Sequence, residues 1–182
     1  DLAFLEYSSL YHLTRGTGKN LWFLMDPVED NPSRSNEDYQ RNYQATLISS
    51  LMFPQVSRYE VMPWPERVFG RIPATFATTV NTVVGTLSEM WRYPDSVLDT
   101  GTTGIGTFTA DSMALQRGDP GASDIDGFYA LTIPLISHGV PVDVLSLDRV
   151  TEPGYLSKQR VLLLSYDYLK PAGPETNRAI AD

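Results

Sequence analysis

The 182-residue chain contains no cysteine, and this absence excludes several kinds of chemistry. Disulfides, thiolate metal ligands and cysteine nucleophiles all require that residue. Histidine is nearly absent as well, since only His12 and His138 occur, in different halves of the chain. A site built from histidine and cysteine therefore has little support, and we expect neither a metal nor a cofactor. The compartment stays open, because a secreted protein can also lack cysteine.

Positive charge and long apolar runs are also scarce. The chain has 14 Lys and Arg against 22 Asp and Glu, a formal net charge of −8, and its basic residues are scattered. This balance argues against a nucleic acid as partner. No apolar stretch approaches the length needed to cross a bilayer, so we expect no membrane partner either. Because the sequence begins and ends inside helical patterns, we expect it to be part of a longer protein.

One apolar segment followed by acids is more informative than any other part of the chain. The run 21–25 leads into Asp26-Pro27, and Glu29 follows. A fully apolar run ended by a turn is typical of a strand buried on both faces of a parallel sheet. Catalytic groups lie at the carboxyl ends of such strands, so Asp26 and Glu29 are candidate catalytic residues. Aspartate before proline is also a common turn former, and that alternative stays open.

The first half of the chain alternates helices with strands. The pattern predicts helices that end at Gly16, begin at Ser35 and begin near Pro73, with strands over 20–25 and 56–62. This alternation is typical of a parallel α/β sheet. The apolar residues predicted to line the inner faces of the three helices are Leu2, Leu5, Leu10 and Leu13; Tyr39, Tyr43, Leu47 and Leu51; and Phe76, Val80, Val84, Leu87 and Trp91.

The second half predicts another parallel sheet, after a linker at 95–106 that is rich in Asp, Thr and Gly. The pattern is strand, helix, strand, strand, helix, which is a flavodoxin-like layout cut short. The glycines at 101–106 precede their strand, whereas phosphate-binding loops lie between a strand and a helix, so a linker is the better interpretation. The predicted elements are strands at 105–109, 142–147 and 160–165, a helix that closes at His138-Gly139 and a last helix opened by Pro174.

Acids and aromatic residues cluster at the ends of the two strands in the first half. If these strands are parallel neighbours, Asp26, Glu29 and Glu60 share one rim. Paired carboxylates beside an aromatic wall suit glycoside hydrolysis, in which one protonates the leaving oxygen and the other attacks or stabilises the oxocarbenium-like centre. The competing interpretation for Trp64, which stands between two prolines, is that it only fills a loop. The predicted sugar contacts are Trp22, Tyr59 and Trp64.

The order of these elements resembles the end of the (β/α)8 barrel of glycoside hydrolases of the β-galactosidase type. Leu21-Trp22-Phe23-Leu24-Met25-Asp26 is similar to the seventh barrel strand, and Val56-Ser57-Arg58-Tyr59-Glu60-Val61 is similar to the eighth. The rest resembles the amidotransferase-like, flavodoxin-like trimerisation domain that follows this barrel. The segments similar to that domain are Gly106-Thr107-Phe108-Thr109-Ala110-Asp111-Ser112-Met113, 128–144 and 161–169.

This resemblance implies an α/β chain made of two incomplete domains. Residues 1–94 would be the last βα units of the catalytic barrel, 95–106 a linker, and 107–182 the first part of a flavodoxin-like oligomerisation domain. The partners implied are a carbohydrate substrate and further copies of the same protein.

The resemblance also implies that Asp26 is the nucleophile of a retaining glycosidase. The family uses glutamate at this position, and the aspartate side chain is one methylene shorter. Three outcomes stay open: Asp26 acts as nucleophile in a shifted backbone, Glu29 acts as nucleophile instead, or the chemistry has been lost. The acid/base residue ends the fourth barrel strand, which this chain does not contain, so alone it is expected to be inactive. Two alternatives stay open: a barrel-derived carbohydrate-binding or scaffold protein, and an α/β nucleotide- or flavin-binding module.

Overall fold

A computed structural model gives the fold as two compact units, each of which is described by itself. One, the two-strand unit, is Asn20–Thr100; the other, the three-strand unit, joins Asp1–Lys19 to Gly101–Asp182. Both contain parallel strands and helices, which confirms the predicted mixed α/β class. The structure describes residues 2–26, 33–60, 65–93, 95, 103–110, 112, 126–166, 169–171 and 173–182.

The described helices and strands follow the predicted alternation. In chain order they are α1 (Leu2–Thr14), β1 (Phe23–Leu24), α2 (Asn36–Leu51), β2 (Tyr59–Glu60), α3 (Pro65–Val68), α4 (Ala74–Arg92), β3 (Ile105–Thr109), α5 (Asp126–Ser137), β4 (Asp143–Ser146), β5 (Val161–Leu163) and α6 (Pro174–Ala181).

The start of α2 shows how local sequence sets a helix boundary. The Ser35 hydroxyl accepts a hydrogen bond from the Asp38 N–H, and the Asp38 carboxylate accepts one from the Ser35 N–H, both at 3.2 Å. This capping box satisfies donors that the first helical turn leaves unpaired. The start predicted at Ser35 is confirmed.

In the two-strand unit, α2 and α4 pack on one side of a parallel pair of strands. β1 and β2 are hydrogen-bonded in parallel, with Phe23 opposite Tyr59 and Leu24 opposite Glu60. The core is a cluster of buried residues from the strands and both helices, with edge-to-face contact between the Tyr43 and Phe76 rings at 6.1 Å. Its members are Met25, Tyr39, Tyr43, Phe76, Val80, Val83 and Leu87.

The prediction that the first strand is buried on both faces is wrong. Phe23 and Met25 are fully buried on the helix side, but Trp22 and Leu24 are 55% and 53% exposed. Successive side chains of a strand point to opposite faces, so every second residue of the apolar run lies on an uncovered side. We call this surface of Trp22, Leu24, Arg58 and Glu60 the open face.

The inner face of α4 differs from the predicted one at a single position, which gives a sharp test. Val83 is buried in the cluster, whereas Val84 is exposed. We expect Val83→Ala to lower the free energy of unfolding by about 2 kcal/mol, because it removes buried methyl groups and leaves a cavity. Val84→Ala should change it by less than about 0.5 kcal/mol. Urea unfolding followed by tryptophan fluorescence measures both, and equal losses would contradict the assigned face.

The three-strand unit contains one parallel sheet with the order β4-β3-β5. The chain leaves β3, forms α5 and returns as β4 beside it, and β5 then pairs on the other side of β3. Gly139, with φ +75°, ends α5, as predicted, because its left-handed backbone directs the N–H groups of residues 139 and 140 back to the last carbonyls. Gly106 allows close packing, since a Cβ there would lie 2.6 Å from Leu145 Cδ1.

Helix α1 packs on β4, although the sequence grouped it with residues 1–94. The Ser8 hydroxyl accepts a hydrogen bond from the Val144 N–H at 2.8 Å. Near the end of α1, the Arg149 guanidinium donates to the carbonyls of His12 and Leu13, both at 2.9 Å. Carbonyls in the last turn of a helix have no partner within it, so these bonds satisfy groups that would otherwise need water.

The predicted inner face of α1 is wrong in part. Leu10 and Leu13, which were assigned to that face, are exposed, whereas Leu5 is buried as predicted. The face that meets the sheet includes two polar side chains that an apolar pattern does not select. From residue 3 onward, where the side chains of this helix are described, the buried ones are Phe4, Leu5, Tyr7, Ser8 and His12.

Candidate functional site

The structure places Asp26 and Glu60 at the same end of the two-strand unit. The Met25 N–H donates to the Glu60 carbonyl at 2.8 Å, so the parallel ladder continues to the residue before Asp26. Asp26 is half-buried and lies two residues after the end of β1, while Glu60 is the exposed last residue of β2. The predicted parallel neighbourhood of the two strands is therefore confirmed, and both acids lie toward their carboxyl ends.

The two acids lie at different depths along the strands. Glu60 is paired with Leu24, two residues before Asp26. At the rise of an extended strand this separates their levels by roughly 7 Å. Asp26 is thus the acid nearer the rim, and Glu60 lies below it on the open face.

The predicted aromatic contacts do not lie together. Trp22 lies on the open face, with the Arg58 guanidinium 5.6 Å from the centre of its ring. Tyr59 faces the other way: its ring lies 6.2 Å from that of Phe23, and its hydroxyl donates to the Val56 carbonyl at 3.2 Å. Burial raises the pKa of the Tyr59 phenol. The structure thus separates Tyr59 from Trp22 and Glu60.

Two further predicted site residues, Glu29 and Trp64, lie outside the described residues. Their predicted roles, a rim carboxylate and a sugar contact, stay predictions.

A second polar cluster, which the sequence did not predict, lies in the three-strand unit. The His12 Nε2 lies 3.1 Å from Asp143 Oδ1, and the Gln159 side-chain amide donates to Asp143 Oδ2 at 2.8 Å. Because a carboxylate only accepts hydrogen bonds, Nε2 carries the proton of the neutral imidazole. Burial lowers the pKa of His12, Asp143 opposes this shift, and the nearby Arg15 and Arg149 add to it.

The arrangement of Ser8, His12 and Asp143 is structural rather than catalytic. A Ser-His-Asp triad needs an accessible hydroxyl bonded to the histidine nitrogen that Asp does not use. Ser8 is fully buried, and its hydroxyl is bonded to the backbone of Val142 and Val144 instead. The cluster lies where α1 meets the start of β4 and holds the two together.

No family model, curated protein or solved structure matches the chain. Function is therefore inferred from the geometry of the described residues. Among these residues, no group of three or more His, Cys, Asp or Glu side chains could hold a metal ion. None of the helices described is long and apolar enough to cross a membrane.

Proposed function

We propose that the chain is part of a retaining glycoside hydrolase of the β-galactosidase type, with β1 and β2 as neighbouring strands of its catalytic (β/α)8 barrel. The observation that supports this most directly is that, among the described residues, helices pack on only one face of the parallel β1–β2 pair. Parallel sheets occur almost only with both faces covered. Here Phe23 and Met25 are fully buried, with Met25 in the cluster that includes residues of α2 and α4, while Trp22 and Leu24 are exposed on the other face.

A barrel explains both sides of this strand pair. In a (β/α)8 barrel the helices surround the outside, and inward side chains from the strands fill the interior in layers. The open face would then be the interior, completed by further strands. Trp22 lies four residues before Asp26, roughly 13 Å along an extended strand, so we assign it to interior packing rather than to sugar contact.

Asp26 is the residue that we propose as the nucleophile. It follows β1 at the carboxyl end, where barrel enzymes hold their catalytic residues. Alternation along the strand puts it on the side of Leu24, which is the open face. Retaining enzymes need two carboxyl groups about 5–5.5 Å apart, so the shorter aspartate requires the backbone here to lie closer to the sugar than in enzymes with glutamate. Glu60, deeper on the same face, would position Asp26 or the substrate.

The three-strand unit is proposed as an oligomerisation domain without chemistry. Its order, β4-β3-β5, is that of the first three strands of a flavodoxin-like sheet, in which the first strand lies between the second and the third. One feature departs from that fold: residues 147–160 between β4 and β5 form a short 3-10 helix and turns where a helix is usual.

Covalent trapping tests the proposal. The complete protein in which this chain occurs is incubated with an activated 2-deoxy-2-fluoro-β-galactoside, which forms a slowly hydrolysed ester with the nucleophile of a retaining enzyme. We expect the sugar on the peptide that contains Asp26 by mass spectrometry. Asp26→Asn should lower kcat on an aryl β-galactoside by at least about 10³-fold, as for the loss of other nucleophiles.

Glu66→Gln is the matched control, because Glu66 is an exposed acid in the nearby α3. It should leave turnover unchanged. If the label is found on Glu29 instead, the proposed glycosidase activity stands, and Glu29 rather than Asp26 is the nucleophile. If the protein binds sugar but turns over no aryl glycoside, the proposal of an enzyme is overturned, and the alternative of a barrel-derived carbohydrate-binding protein is favoured.

A further inference from the structure

Helix α1 is held to the three-strand unit by side-chain contacts. In sequence, the whole segment Asn20–Thr100 separates it from the rest of that unit. No short loop therefore joins α1 to β4. The position of α1 depends on its buried apolar side chains and on the hydrogen bonds at its face and end, which include that of the buried His12 imidazole.

The surroundings of His12 favour the neutral ring. Its side chain is 3% exposed, and Nδ1 has no hydrogen-bond partner among the described residues. A proton on Nδ1 would become a buried donor without an acceptor, which costs free energy. Arg15, directly after α1, and Arg149, from the segment after β4, place positive charge nearby. Among the described groups that act on the ring, Asp143 favours its protonation.

The other charged and titratable groups at this junction are already engaged. Arg149 forms a two-point ion pair with Glu152, at 2.8 and 2.6 Å, so this carboxylate is committed to the guanidinium. The guanidinium carbons of Arg15 and Arg149 both lie near the Tyr155 ring, at 4.4 and 5.0 Å from its centre. Its hydroxyl donates to the His12 carbonyl at 3.1 Å.

We propose that the contact of His12 with Asp143 is an acid-sensitive latch, which holds α1 on β4 while the imidazole is neutral and releases the helix when it is protonated. When α1 is released, the His12 ring is in water, can take up a proton, and has hydrogen-bond partners for both nitrogens. When α1 is docked, only Nε2 has a hydrogen-bond partner among the described residues.

The sign of the pH dependence follows from the lowered pKa of docked His12. The released helix exposes an ordinary histidine, with a pKa of about 6.5. Between that value and the lower pKa of the docked ring, the released state binds more protons than the docked state. Docking is therefore complete above about pH 6.5 and weakens as the pH falls, by up to about tenfold per pH unit.

Hydrogen exchange of the full chain, read by mass spectrometry between pH 7.5 and 5, tests the latch. After correction for intrinsic exchange, amides of α1 should lose protection by up to about tenfold from pH 6.5 to 5.5. Amides of β3, in the same unit, and of α2, in the other, should not. Equal loss in α1 and β3 would mean that the unit unfolds as a whole, and constant protection of α1 would also overturn the latch.

The two histidines provide matched variants. His12→Gln should remove the pH dependence of α1 exchange, whereas His138→Gln should keep it, because His138 is exposed at the end of α5. If His12→Gln does not fold, nuclear magnetic resonance of the unmodified chain tests the latch instead, through the titration of the His12 ring protons. The His12 ring protons should titrate below pH 6.5, over the pH range in which α1 loses protection. Titration at or above pH 6.5 would refute the proposal.

Discussion

Phe76→Ala is expected to lower the free energy of unfolding of the two-strand unit by about 3–5 kcal/mol. Phe76 is 1% exposed and lies in the cluster that joins α4 to α2 and the strands. Removing the ring leaves a cavity beside Tyr43, whose hydroxyl is buried without a partner among the described residues. The Tyr43 pKa, raised to about 12 by burial, reflects the same dry surroundings.

Phe69→Ala is the matched control, because this phenylalanine is 54% exposed. It should cost less than about 1 kcal/mol. Guanidinium unfolding followed by tryptophan fluorescence separates the two variants, since all three tryptophans, Trp22, Trp64 and Trp91, belong to residues 20–100. A similar midpoint for Phe76→Ala and the unmodified protein would show that the described core does not stabilise this unit.

Elements that depend on neighbouring residues could be predicted from the sequence. β3 has the predicted bounds Ile105–Thr109, and α6 begins at Pro174 as expected. Ser35 and Gly139 mark the start of α2 and the end of α5 because a capping side chain and a left-handed backbone act within a few residues. These boundaries need no knowledge of what packs on the helix.

The faces of helices and strands were harder to predict, because they depend on distant partners. On α1, apolar side chains occur on more than one side, and the sheet selects the side that carries Ser8 and His12, which bond to β4. At β1 the apolar composition of the run did not show the alternation in burial: Phe23 is fully buried and Leu24 is exposed. Apolarity alone could not show which side the helices cover.

The candidate site residues also divide into those that local sequence patterns predicted and those that depend on distant contacts. The parallel strands that bring Asp26 and Glu60 to one end were predicted from alternation with helices, and β1 and β2 are indeed paired. The contact of His12 with Asp143 joins residues 131 positions apart, and neither has a local pattern that indicates the other. The available signal was weaker: Ser8 and His12 are four residues apart and therefore lie on the same face of α1.

Asp143→Ala is expected to lower the free energy of unfolding of the three-strand unit by about 2–4 kcal/mol, because it leaves two hydrogen-bond donors without their acceptor. The carboxylate accepts from His12 on one oxygen and from Gln159 on the other. Without it, the buried His12 donor loses its acceptor at about 1–3 kcal/mol, and the partly buried Gln159 donor loses its acceptor at a smaller cost. Because the tryptophans belong to the other unit, far-ultraviolet circular dichroism and the exchange of β3 amides measure this loss.

Glu6→Ala is the control, since this exposed acid belongs to α1; it should change stability by less than about 0.5 kcal/mol. The double variant His12→Ala, Asp143→Ala should cost less than the sum of the single variants, because each first substitution already removes the shared bond. Additive losses would show that the two side chains stabilise the unit independently. The distance of 3.1 Å between Nε2 and Oδ1 predicts that they do not.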